Sequence, residues 1–203
     1  DLGRYEGCVT DGVIKAFAPN GEKILFHASN FRPVKRVEDV VRVFSKIKEE
    51  IPCKLLLAGD GPERSKIEAL CRELGTCADV HFLGKVKNIE EVYSVADAFL
   101  LPSETESFGL AALEAMASGV PVISTNTGGI PEINIHGETG YLSNVGDVDD
   151  MATNALKLLN NRELMTQFKR NSLERAKVFS KSNVIPTYER LYESVLESAV
   201  SKA

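Results

Sequence analysis

Cysteine is scarce and badly spaced for chemistry. The chain has four, Cys8, Cys53, Cys71 and Cys77, and no two stand in C-x-x-C spacing. They read as free thiols of a reducing compartment, not as disulfides or metal ligands. The three histidines, His27, His81 and His136, fall on two predicted strands and a loop without metal-ligand spacing, which gives each a structural role. Walker, zinc and G-x-S-x-G signatures are missing too. Positive charge is not in excess: the formal net charge is -5, which argues against a general nucleic-acid or membrane-surface binder. No run of 18 apolar residues and no signal peptide is present, so neither a membrane span nor export is expected and the reading is cytoplasmic. Position 1 is Asp1 where a methionine would open a complete chain, which suggests a piece of a longer protein.

What is present is enough for a core. With 203 residues, 43% hydrophobic and 26% charged, one domain with a tail is the expected size. Residues 1–20 are weakly patterned and read as a linker or the tail of an upstream domain, closed by the turn signal Pro19, Asn20, Gly21. Apolar runs at 24–28, 53–58, 80–83, 98–101 and 121–124 have strand length. Between them lie helical patterns at 36–50, from the 59–62 turn to about 74, at 88–95 with Asn88 as cap, and at 108–118 with Gly119 as stop. Continuous apolar strands alternating with helices predict an α/β doubly wound parallel sheet, Rossmann-like, over residues 21–180. Helices at 163–179 and 183–198 follow, the second within a C-terminal segment at 181–203. Its Tyr188, Leu191, Tyr192, Val195 and Leu196 are more apolar than a free tail requires.

Ligands of such sheets bind beyond the carboxyl ends of the strands, and residues 103–132 put their chemistry there. Glu106 and Glu114 lie eight positions apart. In a continuous helix that is ~12 Å of rise, beyond the about 5 to 9.5 Å of a hydrolase dyad. An extended ligand lying along a helix start fits better, with a carboxylate near each end accepting hydroxyl hydrogen bonds. The free N–H groups near Phe108, Gly109 and Leu110 would meet an anion between them. Spacing alone leaves open that Glu106 is only a cap and Glu114 a solvated helix residue. The turn at 29–36 adds three cations, Arg32, Lys35 and Arg36. Cations at a helix start oppose its dipole, so a local phosphate site is the reason offered for them. Asp147, Asp149 and Asp150 mimic a D-x-D metal motif, but the helical face that follows makes Asp147 an N-cap.

Glu106 and Glu114, with Phe108 to Leu110 and the run 115–123, resemble the E-x7-E signature of retaining glycosyltransferases of family four, and 127–132 resembles that family's next segment. The resemblance covers most of the chain. It implies the C-terminal, donor-binding half of a GT-B enzyme, metal-independent and without a cofactor beyond its nucleotide-sugar donor. Glu114 would then accept from the donor ribose and Glu106 would contact the sugar. Lys35, Arg32 and the amides of 108–110 would hold the diphosphate, and the base would lie by Gly59 and the loop Gly84, Lys85, Val86. In that family the basic turn reads G-R-L-x-x-x-K; Lys35 aligns with the lysine, Asn30 stands where the arginine is expected, and Arg32 is displaced by two positions. The turn, with 55–62, resembles the branch that joins N-acetylglucosamine to malate for bacillithiol. That branch implies UDP-N-acetylglucosamine as donor and a small acceptor held by an N-terminal domain, the last helix crossing to that domain. A homo-oligomer is left open. The competing classes are an epimerase or phosphorylase on the same scaffold and a non-catalytic sugar-nucleotide-binding module.

Overall fold

The computed structural model describes residues 16–200 together with Tyr5 and Gly12, and of 197–200 the backbone alone. Cys8, residues 201–203 and most of the expected linker lie outside the described residues. Six strands form one sheet: β1 (Lys23–Ala28), β2 (Cys53–Ala58), β3 (Val80–Gly84), β4 (Ala98–Leu101), β5 (Val122–Thr125) and β6 (Gly140–Ser143). Their order in space is β3-β2-β1-β4-β5-β6, and every pairing is parallel. The order reverses between β1 and β4. In an open α/β sheet that switch point is where neighbouring loops part and leave a crevice.

The strands are largely apolar because both faces are covered. Successive side chains point to opposite faces, so Leu25, Leu55, Leu57 and Leu100 join one core, while Ile24, Phe26, Leu56 and Phe99 join the other. The first core is closed by α1 (Val37–Glu50), α2 (Arg64–Glu73), α6 (Val148–Leu159) and α7 (Arg162–Val178). The second is closed by α3 (Ile89–Val95), α4 (Leu110–Ala117) and α5 (Ile130–Ile133). At its centre Phe26 meets Tyr93 edge-on at 4.9 Å and Phe99 at 5.7 Å. Each such fully buried side chain contributes about 1.5–3 kcal/mol by leaving water. Residues 16–18 continue this layer, with Ala18 buried and the Phe17 ring edge-on to His81.

Local chemistry sets the helix ends. Asp147 caps α6, its carboxylate accepting from the Asp150 amide at 3.0 Å, as its place before an amphipathic run predicts. Gly119, at φ 72°, stops α4, and the Val120 amide returns to the Ala115 carbonyl at 2.9 Å. Two expectations change. Asn88 occupies the cap position of α3, but its amide donates to the Glu91 carboxylate at 3.0 Å and accepts nothing from the helix. The helix predicted from 108 begins at Leu110, because Gly109 takes a left-handed φ of 91° that no helical residue shares. The final helix, α8 (Lys181–Val200), leaves Tyr188, Leu191, Tyr192, Val195 and Leu196 exposed.

Candidate functional site

Two loops meet at the switch point. The first follows β1 and runs through a single 3-10 turn, Pro33–Lys35, to Arg36, whose left-handed φ of 47° starts α1. The second follows β4, where Pro102 ends the strand, and leads to Gly109. The Lys35 ammonium lies 2.6 Å from the Glu106 carboxylate, both side chains largely covered. The Glu104 amide donates to the Val34 carbonyl at 2.9 Å. Lys35 and Glu106, 71 positions apart in sequence, therefore share one site. Of the other cations, Arg36 pairs with Asp39 at 2.6 Å. Arg32 is exposed and, among the described residues, has no ion-pair partner.

The Glu106 loop is fastened from beneath by the end of β5. Thr125 donates to the Ser103 carbonyl at 2.6 Å, Thr127 to the Glu104 carbonyl at 3.0 Å, and the Gly129 amide to the Glu106 carbonyl at 2.9 Å. At Gly128 and Gly129 a β-carbon would overlap the carbonyl oxygens of Glu106 and Ser107. Glu106 thus stands in a fastened loop and not on α4, so the helical spacing that separates it from Glu114 in a continuous helix does not apply. The amides of Phe108, Gly109 and Leu110, the first of the helix, have no partner among the described residues. Such amides carry the partial positive charge that draws anions. Leu110 is exposed, and the Phe108 ring rests edge-on against Phe179 at 5.6 Å.

Glu114 lies on α4, half-buried, and takes a hydrogen bond from the Tyr93 hydroxyl at 3.2 Å. The same hydroxyl lies 3.1 Å from the Ala111 carbonyl. Burial, and then the nearby Glu114 charge, push the Tyr93 phenol well above its ordinary range, so it stays a neutral donor. Its one proton is shared between the Ala111 carbonyl and one Glu114 oxygen, and the other Glu114 oxygen has no partner among the described residues. Gly59 continues the row of loops. Its φ is 113°, a β-carbon there would overlap the Ser29 carbonyl, and its amide donates to the Gly84 carbonyl at 2.7 Å. Gly59 therefore sits between the basic turn and the loop in which Lys85 is exposed and Val86 packs on the second core.

His27, read as structural, is fully buried on β1. Burial pushes its imidazole down to about 4, the Leu100 carbonyl opposing. His136 accepts from the Leu142 amide at 3.0 Å, while His81 lies on β3 against Phe17. Among the described residues no group of three or more His, Cys, Asp or Glu side chains is placed to hold a metal ion, and no helix is long and apolar enough to cross a membrane. Sequence reasoning missed Tyr93, which is embedded in an ordinary amphipathic helix. It noted residues 127–132 but not that Gly128 and Gly129 brace Glu106; two adjacent glycines after a buried strand were the signal for a close backbone approach.

The family model described as glycosyl transferases group 1 matches residues 13–175. The chain belongs to that family. Among its relatives in the family, the N-acetyl-alpha-D-glucosaminyl L-malate synthase of Bacillus anthracis is 50% identical over 180 residues, covering 86% of this chain and 46% of that enzyme. The 2-deoxystreptamine N-acetyl-D-glucosaminyltransferase of Niallia circulans is 33% identical over the same shares. The chain therefore spans about half the length of these relatives. Of solved structures, a mutant of S. aureus TarM in complex with fondaparinux, alpha-GlcNAc-glycerol and UDP superposes with a TM-score of 0.79 at 25% identity, over 84% of this chain and 35% of that one. Sucrose-phosphate synthase from Thermosynechococcus elongatus gives 0.79 at 29% identity, over 88% and 46%. The fold is the Rossmann-like domain of GT-B glycosyltransferases.

Proposed function

We propose that residues 21–180 of this group 1 glycosyl transferase bind the nucleotide-sugar donor of a retaining enzyme. That enzyme moves N-acetylglucosamine from UDP to a small acceptor such as L-malate, in the cytoplasm, with neither metal nor cofactor. The observation that carries the reading is the arrangement at the switch point. Lys35 and Glu106 are paired in the loops before the α4 start, and Glu114, on α4 itself, meets the Tyr93 hydroxyl. The relatives named for N-acetylglucosamine transfer and the UDP complex of TarM support the donor.

The chemistry follows from charge. As the bond between sugar and diphosphate breaks, negative charge grows on the leaving group, and preorganised donors aimed at it lower the barrier. The Lys35 ammonium has three N–H donors, so it can keep Glu106 in place and still reach a phosphate oxygen. Arg32, exposed and without an ion-pair partner among the described residues, is the second cation, and the amides of 108–110 complete the anion site. Glu106 accepts from the sugar, and the free oxygen of Glu114 from the ribose. The acceptor wall belongs to an N-terminal domain preceding residues 1–20, and α8 crosses to it.

Calorimetric titration with UDP, ADP, GDP and UDP-N-acetylglucosamine tests this, with Glu114→Ala as the control. Selective binding of the uridine nucleotides, lost in the variant, is the expected result. Equal binding of all three nucleotides, or binding indifferent to Glu114, would refute it.

A further inference from the structure

His27 and Ser29 take no part in the donor-binding reading, yet they hold the turn that carries its cations. The His27 Nδ1 is 2.8 Å from the Leu100 carbonyl, and its Nε2 is 2.8 Å from the Ser29 hydroxyl. A carbonyl only accepts, so the ring proton sits on Nδ1 and Nε2 accepts from Ser29. The Ser29 oxygen in turn accepts from the Phe31 amide at 3.3 Å. These three bonds have one polarity from end to end, and they run from β4 across β1 into the basic turn.

Filling space does not require this. The Phe31 and Phe99 rings flank His27 at 6.4 and 6.2 Å, a setting that apolar contact alone would fill with an apolar side chain. What the imidazole adds is a fixed direction for the Ser29 hydroxyl. Its end point is a residue in an unusual backbone state: Phe31 has φ of 40°, a region that bulky side chains rarely adopt and that persists only where the surroundings impose it. Arg32 follows directly, and Lys35 comes one turn later with its bond to Glu106. At the other end, Leu100 stands on the strand that feeds the Glu106 loop.

We infer that His27, acting through Ser29, is a positioning residue: it sets the backbone of Phe31 and so the reach of Arg32 and Lys35 toward a ligand diphosphate. The inference rests on the donor-binding reading above. It differs from a merely structural role in what it predicts for phosphate. A loosened turn costs the interactions with the diphosphate and spares those with the nucleoside.

The test uses the full-length enzyme, with Ser29→Ala, which leaves His27 and the core in place, and Ser29→Thr, which keeps the hydroxyl. Titration with UDP and with uridine is read beside the thermal midpoint. The expectation for Ser29→Ala is an about tenfold weaker UDP affinity, the size of one lost hydrogen bond, with uridine affinity unchanged and most of the loss restored by Ser29→Thr. If Ser29→Ala does not fold, Ser29→Cys, a weak donor and acceptor at the same place, carries the comparison. UDP binding equal to wild type, or equal weakening of UDP and uridine, overturns the proposal while the donor-binding reading stands. A wild-type enzyme that binds no UDP overturns both.

Discussion

At the scale of single residues, two groups that support the site, His27 and Tyr93, have their protonation held by their surroundings. His27 is neutral in the folded protein, its imidazole pushed down to about 4 by burial, whereas in the unfolded chain it titrates at its ordinary 6.5. Between those values the unfolded state binds more protons, so stability is full above pH 6.5 and falls as pH drops toward 4. The loss between pH 7 and pH 5 is about 2 kcal/mol. Urea unfolding at the two pH values measures it, and His27→Gln, which cannot titrate, should show a difference smaller by that amount. Tyr93→Phe isolates a second residue. The ring stays among Phe26 and Phe99 while Glu114 loses its donor. Stability should fall by about 1 kcal/mol, and UDP affinity several-fold more than that of Phe26→Leu, a control that perturbs the same core without touching Glu114. Lys35→Ala in the full-length enzyme should lower turnover by a factor of about 100 or more, the scale of one lost transition-state donor, with a smaller effect on the unfolding midpoint from the lost pair with Glu106. Normal turnover would remove Lys35 from the mechanism.

At the scale of elements, the loops after β1, β2, β4 and β5 are packed so closely that glycine is a steric requirement at their crossings. Gly128→Ala would drive a methyl group into the Glu106 carbonyl at a φ of 56°. The left-handed backbone alone costs about 1–2 kcal/mol, and the overlap adds to it. Thermal unfolding should report the loss, and UDP titration of the folded fraction should show weakened binding because Glu106 moves with its loop. Gly75→Ala is the comparison: φ is similar at 66°, but nothing lies near its β-carbon. It should be destabilised by the backbone cost alone and bind UDP normally. The contrast shows what was legible beforehand. Strands such as Cys53–Ala58 were readable as apolar runs because a sheet covered on both faces tolerates little else. The E-x7-E spacing and the basic turn marked Glu106, Glu114, Arg32 and Lys35 as candidates. Sequence spacing did not reveal that Lys35 touches Glu106, since the contact arises from the reversal of strand order between β1 and β4, which no local pattern encodes. Tyr93 was hidden for a related reason: its ring satisfies the helical periodicity of α3, and only the position of its hydroxyl tells it from a core residue.

At the scale of the whole molecule, the groups of the proposed donor site line the carboxyl edge of a single sheet. A transferase must orient its acceptor and keep water from the activated sugar; positioning of two reactants is worth ~7–11 kcal/mol of barrier where it is complete. The chain spans 46% of the Bacillus anthracis relative, and α8 ends the described residues with a stripe of exposed Tyr188, Leu191, Tyr192, Val195 and Leu196, more than a solvated helix face carries. This 203-residue chain should therefore bind UDP more weakly than the full-length enzyme and form no glycosylated malate from UDP-N-acetylglucosamine. Product analysis by mass spectrometry, run on the chain and the full-length enzyme side by side, decides it. Transfer by the chain alone at a rate near that of the full-length enzyme would mean that the acceptor site lies within these residues, and would overturn the assignment of catalysis to a two-walled cleft. Glycosylated malate from the full-length enzyme only would place the missing wall outside them, with Lys35, Glu106 and Glu114 as the donor side.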